Sequence, residues 1–180
     1  MEIKRDYYLN KLIGKEKDGL IKIVTGIRRC GKSYLLDPIF KNYLLNKGVS
    51  KDHIIKIDLE IRKNQKFLDP DVLDEYVRSQ IIDDDIYYVI LDEVQKVNDF
   101  ESVLNGFLKI PNLDVYVTGS NSKFLSSDIV TEFRGRGEEI RVYPLSFYEF
   151  CEYNKKDKGI AWKEYITYGG LPLVLLQESN

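Results

Sequence analysis

The chain has 180 residues, 43% hydrophobic and 31% charged, with a formal net charge of −2. That balance fits one soluble globular domain that buries about 70% of its unfolded surface, and it excludes a global basic field for non-specific nucleic-acid binding. Two cysteines, Cys30 and Cys151, and the single His53 give neither a disulfide framework nor a zinc-ligand spacing, while the absence of a long apolar run or signal-peptide start leaves the cytoplasm as the expected location, with no membrane partner.

Tyr8, Leu9, Leu12 and Ile13 predict a short amphipathic helix over Tyr7 to Gly14. Leu20 to Thr25 predicts a buried strand that runs straight into Gly26-Ile27-Arg28-Arg29-Cys30-Gly31-Lys32-Ser33, the spacing Gly-x-x-x-x-Gly-Lys-Ser. From Ser33 to Leu45 the apolar Leu35, Leu36, Ile39, Phe40, Tyr43 and Leu44 recur at helical spacing, with Pro38 assigned to the first turns, where a missing N–H is tolerated. His53 to Leu59 reads as a second strand, and Asp69-Pro70 caps and opens a helix through Ile82. Ile86 to Leu91 is apolar on both faces, as in a parallel sheet covered by helices. Asn98 and Glu101 have the spacing of a capping pair for a helix through Leu108; Leu113 to Thr118 is a fourth strand, Asn121 to Ser127 a short helix and Glu139 to Tyr143 a fifth strand. Ser146 and Glu149 have capping-box spacing, and the remainder to Leu176 is helical or coiled. This alternation predicts a three-layer α/β domain with a mainly parallel sheet and its ligand at the carboxyl ends of the strands.

The chemistry follows from the same punctuation. A strand, a glycine loop and a helix N-terminus together present backbone N–H groups and partial positive charge to phosphate oxygens. Gly26, Ile27, Arg28, Arg29, Cys30, Gly31, Lys32, Ser33 and Tyr34 are therefore the expected nucleotide-binding residues. Lys32 is expected on the β- and γ-phosphates and Ser33 on Mg²⁺. Arg28 and Arg29 either point outward as variable positions or contact phosphate or a partner, and Cys30 beside Gly31 offers a thiol whose alkylation would block nucleotide. At the end of the third strand, Asp92 is the second candidate for the metal, and Glu93 the candidate base for a water attacking the γ-phosphate. A carboxylate in that position favours hydrolysis, and no Asn-Lys-x-Asp guanine signature occurs, so ATP is the expected substrate. Ser120 and Asn121, after the fourth strand, either contact the γ-phosphate or attacking water or cap a helix. Arg134 and Arg136 either stabilise developing γ-phosphate charge or form a solvated basic turn. Asp58 and Glu60 reach the metal's water shell or are simply solvated, and Trp162, Tyr165 and Tyr168 have the spacing of packing residues.

Taken with Leu91-Asp92-Glu93-Val94-Gln95, Thr118-Gly119-Ser120-Asn121-Ser122, Arg134-Gly135-Arg136 and the run Tyr143 to Phe150, the loop resembles a family of prokaryotic AAA+-type P-loop ATPases from about Leu20 to Pro172. The resemblance implies a P-loop NTPase sheet of order 5-1-4-3-2, with Ser120 and Asn121 as sensor residues between the loop and Asp92-Glu93. It also makes Arg134 or Arg136 an arginine finger, expected to act in trans within a homo-oligomer. Tyr168 to Pro172 resembles the start of a helical lid, so residues 1–155 are expected to form the ATPase core and 156–180 the beginning of a truncated lid. Members of that family continue into a C-terminal region with winged-helix or nuclease-like features, through which a protein or DNA partner would be engaged. The leading expectation is Mg²⁺-dependent ATP hydrolysis coupled to a conformational change in a partner or C-terminal domain. The alternative is a nucleotide-responsive binding module with little turnover as an isolated fragment, and a small-molecule kinase has no phosphoacceptor pocket to support it.

Overall fold

A computed structural model describes residues 3–119 and 133–177. Five strands form one parallel sheet: β1 (Ile21–Thr25), β2 (Ile54–Asp58), β3 (Tyr87–Asp92), β4 (Leu113–Thr118) and β5 (Gly137–Arg141). Their spatial order is β2-β3-β4-β1-β5, the implied 5-1-4-3-2 counted from the other edge. The helices among the described residues are α1 (Asp6–Ile13), α2 (Lys32–Tyr34), α3 (Lys41–Asn46), α4 (Pro70–Gln80), α5 (Phe100–Phe107), α6 (Phe147–Asn154), α7 (Lys158–Tyr168) and α8 (Pro172–Gln177), with 3₁₀ turns at Lys51–His53, Arg62–Leu68 and Val94–Lys96 and a π-wound stretch at Leu35–Phe40.

Strand alternation builds two cores, because successive side chains point to opposite faces of a sheet. In β3, Tyr87, Val89 and Leu91 join α4 and α5 through Leu73, Val77, Leu104 and Phe107. Tyr88 and Ile90 join the opposite layer, where Leu12, Leu36, Phe40 and Leu44 pack. A third cluster, Ile3, Leu145, Phe150, Ala161 and Leu175, ties the N-terminal segment to α6, α7 and α8.

Three local expectations differ from the structure. The helix after the loop is not continuous: α2 passes into a π-wound stretch, Leu35–Phe40, in which Asp37 is extended at φ −144° and ψ 110° before α3 resumes. Proline disfavours helical geometry in the residue before it, so Pro38 breaks the helix while Leu35, Leu36, Phe40 and Leu44 keep a common buried face. The Asn98–Glu101 pair does not cap α5; the Asn98 N–H donates to the Leu68 carbonyl at 3.2 Å, and Asp99 enters the helix in the left-handed region without a side-chain cap. β5 begins two residues earlier than its apolar residues suggest, because its pairing with β1 in the register Ile21↔Gly137 to Thr25↔Arg141 sets its limits. The Ser146–Glu149 capping box forms as expected, as does the Asp69 cap on α4. The short helix expected over Asn121 to Ser127 lies outside the described residues.

One buried ion pair sits beneath the strand starts. Lys22, with its side chain fully buried, donates to Asp114 and to the Leu20 carbonyl, and lies 2.7 Å from Asp18. Asp114 also accepts from the Lys17 N–H at 3.0 Å and the Tyr116 hydroxyl at 2.9 Å. Removing one member leaves a buried charge without its partner, which costs about 3 to 5 kcal/mol. The Asp114→Ala variant is therefore expected to lower the thermal midpoint by roughly 10 °C, read by thermal denaturation.

Candidate functional site

Parallel pairing brings the carboxyl ends of β1, β4 and β3 side by side, so the loop after Thr25, the tip at Thr118 and the pair Asp92-Glu93 share one edge of the sheet. The loop leaves β1 through Gly26 at φ 146°, where a Cβ would lie 2.3 Å from the Val142 carbonyl oxygen. Only glycine fits that approach. Arg29 and Gly31 take left-handed φ values of 67° and 101°, curling the chain before α2 begins at Lys32. Ile27, Arg28 and Arg29 are exposed. Cys30 is not the accessible thiol the sequence suggested: it is fully buried, its Sγ donates to the Val142 carbonyl at 3.4 Å, and burial pushes the thiol above its usual range.

Lys32 is buried and its ammonium donates to the Gly26 and Ile27 carbonyls at 3.1 Å each. Ser33 Oγ donates to Asp92 Oδ1 at 3.0 Å, and the Thr118 hydroxyl donates to the same oxygen. Thr118 Oγ1 in turn accepts the Glu93 N–H at 2.9 Å. Burial pushes the Asp92 carboxyl upward; Asp58, opposite it in the β2–β3 register, and Glu93 add to that push, against the two hydroxyls. Carboxylates crowded in this way, beside a hydroxyl, are a hard oxygen set of the chemistry that fits Mg²⁺. Glu93 stands in the left-handed region at φ 58° and ψ 50° and accepts a hydrogen bond from the Gln95 amide. Glu60 is exposed and lies 3.5 Å from Lys96.

Arg134 and Arg136 lie at the other end of the sheet. Gly137 pairs with Ile21 at the start of β1, whereas the loop follows its end, so about 16 Å of strand separates the two arginines from the loop of the same chain. Arg136 Nη1 donates to Asn105 Oδ1 on α5 at 2.7 Å. Ser120 and Asn121 lie outside the described residues.

The N-terminal and C-terminal segments close over the loop's other side. Arg5 is buried, donates to the Tyr143 carbonyl at 2.6 Å, approaches Glu149 at 3.3 Å and lies over the Tyr8 ring. A cleft of about 580 Å³ opens beside it, lined by Tyr7, Tyr8, Tyr143, Leu145, Glu149 and Tyr165. Gly170 accepts from the Leu145 N–H at 2.7 Å, which sets Pro172 3.7 Å from where a Gly31 Cβ would stand. Tyr165 packs on Phe147 and Phe150 and Trp162 packs edge-on to Phe147 at 5.1 Å, as their spacing implies, although Trp162 is half exposed; Tyr168 is largely exposed.

Sequence reasoning missed Thr118 and Gln95. Thr118 differs from the Val117 before it by a hydroxyl in place of a methyl and, like Gln95, stands only within a motif; the register that sets it against Asp92 has no local signature. Gln95 was visible only as part of a motif.

A family model described as "AAA domain" matches residues 18–151. An uncharacterized protein of Haemophilus influenzae is 31% identical over 98% of this chain and 45% of its own length. The chain spans less than half the length of the curated relatives it matches. Among solved structures, Saccharomyces cerevisiae Hsp104 in a casein complex is similar with a TM-score of 0.65 and 16% identity, over 97% of this chain and 36% of that one. A DNA polymerase III gamma subunit-related protein of Thermotoga maritima is similar with a TM-score of 0.60 and 14% identity, over 95% of this chain and 56% of that one. At these identities the likeness is one of fold. No described helix is long and apolar enough to cross a membrane.

Proposed function

This chain belongs to the AAA-domain family, and from that premise we propose that it binds ATP with Mg²⁺ and hydrolyses it to ADP and phosphate. The observation that carries this is the join of Ser33 to Asp92 at 3.0 Å with Glu93 next in sequence, which unites a phosphate loop, a metal-type oxygen pair and a base. Bound Mg²⁺ would supply charge neutralisation between the β- and γ-phosphates. Ser33 and Asp92 would hold it, exchanging their mutual hydrogen bond for metal coordination. Lys32 would give up the Gly26 and Ile27 carbonyls for phosphate oxygens, and the loop N–H groups from Gly26 to Tyr34 would complete the cradle. Glu93 accepts a proton from the attacking water as its oxygen bonds to phosphorus and the bond to the ADP oxygen breaks. Ser120 and Asn121 would sense the γ-phosphate. The adenine base would lie in the cleft between α1 and the segment after β5, whose tyrosine-lined walls suit a planar ring.

Arg134 or Arg136 would serve the site of a neighbouring copy, since neither reaches the loop of its own chain. The same separation favours a second function for the isolated chain, ATP-dependent binding of a partner with little turnover. Residues 156–180 would begin a lid, and chain corresponding to the additional length of the relatives would engage a protein or DNA partner that the ATP cycle drives. Purified protein with ATP is expected to release phosphate only with Mg²⁺, at a specific rate that rises with protein concentration and is abolished by excess EDTA. Tight ATP binding without phosphate release at any concentration would leave only the binding function, and a phosphorylated acceptor would point to a kinase.

A further inference from the structure

Gln95 lies in the turn Val94–Lys96 directly after Glu93, and its amide nitrogen donates to the Glu93 carboxylate. The amide cannot be turned over, because that would set its oxygen against a carboxylate oxygen. Its oxygen is consequently committed to a buried position, where among the described residues it accepts no hydrogen bond. An unpaired buried amide oxygen costs about 1 to 3 kcal/mol, so such a group calls for an explanation other than stability.

The backbone around this contact is already fixed. Val94 and Val97 are buried in the core, the Lys96 N–H donates to the Glu93 carbonyl at 3.1 Å, and the Val97 N–H to the Val94 carbonyl at 3.0 Å. Glu93 itself is anchored through its N–H to Thr118. With the turn held by these bonds, Gln95 is not needed to form it. What the backbone leaves undetermined is the direction of the Glu93 side chain, whose torsions carry the carboxylate toward or away from the edge where β1, β3 and β4 end.

Resting on the ATPase function above, we propose that Gln95 is a positioning residue for Glu93: its amide holds the carboxylate in the one orientation from which it takes the proton of the attacking water. The unpaired oxygen is the cost of pointing the nitrogen at Glu93. The side chain acts on turnover and not on nucleotide affinity.

Gln95→Leu keeps the side-chain volume and removes both the donor and the orphan oxygen, so its thermal midpoint should match or exceed that of the wild type. Its kcat should fall about 10- to 100-fold, the loss expected of a misdirected catalytic group, with KM and the calorimetric affinity for ATP unchanged. Gln95→Glu, of the same shape but repelling Glu93, should lose as much. Introduced into Glu93→Gln protein, Gln95→Leu should add no further loss, because both changes act through one carboxylate. Wild-type turnover with an unchanged or faster Gln95→Leu protein overturns the positioning role alone, as does a full additive loss in the double variant. A wild-type chain that binds ATP and never releases phosphate overturns the ATPase function and this role together.

Discussion

Mixing Lys32→Ala protein with Arg134→Ala protein is expected to restore phosphate release that neither possesses alone. Each variant would remove a different half of one composite site. Lys32→Ala lacks the ammonium that sits against the Gly26 and Ile27 carbonyls. Arg134→Ala keeps its loop and lacks the guanidinium that would serve a neighbouring copy. If the arginine works in trans, a mixed assembly contains interfaces in which an intact loop meets an intact arginine. The single arginine variant should lose about 10³- to 10⁵-fold in turnover, the usual contribution of such a finger, while its affinity for ATP changes little. Arg136 is tied to Asn105 of its own chain at 2.7 Å, so the larger loss is expected at Arg134. Both positions are exposed, and neither substitution should lower the thermal midpoint. The measurement is phosphate release across a range of mixing ratios at high total concentration. Absence of any recovery, with both proteins folded and the Arg134→Ala protein still binding ATP, would count against action in trans.

Glu93→Gln is expected to bind ATP as tightly as wild type and to hydrolyse it about 10²- to 10⁴-fold more slowly, the range lost with a general base. The substitution keeps the size of the side chain and leaves the backbone bond from residue 93 to Thr118 in place. Its electrostatic effect on the metal position runs in the favourable direction. Burial is the main cause of the upward push on the Asp92 carboxyl and Glu93 a smaller one, so removing the Glu93 charge lessens that push and leaves Asp92 no worse a partner for a cation. Binding and turnover therefore separate cleanly in this variant, whereas Lys32→Ala should lose both. The paired measurements are ATP affinity by calorimetry and phosphate release at saturating ATP. Equal turnover in Glu93→Gln would remove Glu93 from the proposed chemistry.

Much of this was legible along the chain. Glycine, lysine and serine at the spacing of residues 26 to 33 dictate a loop between strand and helix, because backbone conformation there is local: Gly26 and Gly31 take φ values that other residues resist. The apolar runs dictated five strands, and the alternation of strand and helix dictated a parallel, three-layer arrangement. Helix ends were legible where a side chain binds its own turn, as at Asp69 and Ser146, and not where the backbone is held from afar, as at Asn98. The break at Asp37 is written not in the missing N–H of Pro38 but in the effect of proline on the residue before it.

By itself, then, the sequence determined the phosphate loop, the carboxylate pair Asp92-Glu93 and the class of fold, since each depends on neighbours within a few residues. Only the tertiary structure decided that Thr118 bonds both Asp92 and the Glu93 backbone, that Val142 closes on Gly26, that Pro172 stands beside Gly31, and that Arg134 and Arg136 lie at the opposite end of the sheet from their own loop. Those relations come from lateral strand pairing and its register, in which residues far apart in the chain are brought together by hydrogen bonds common to every backbone. No side-chain pattern writes them in advance.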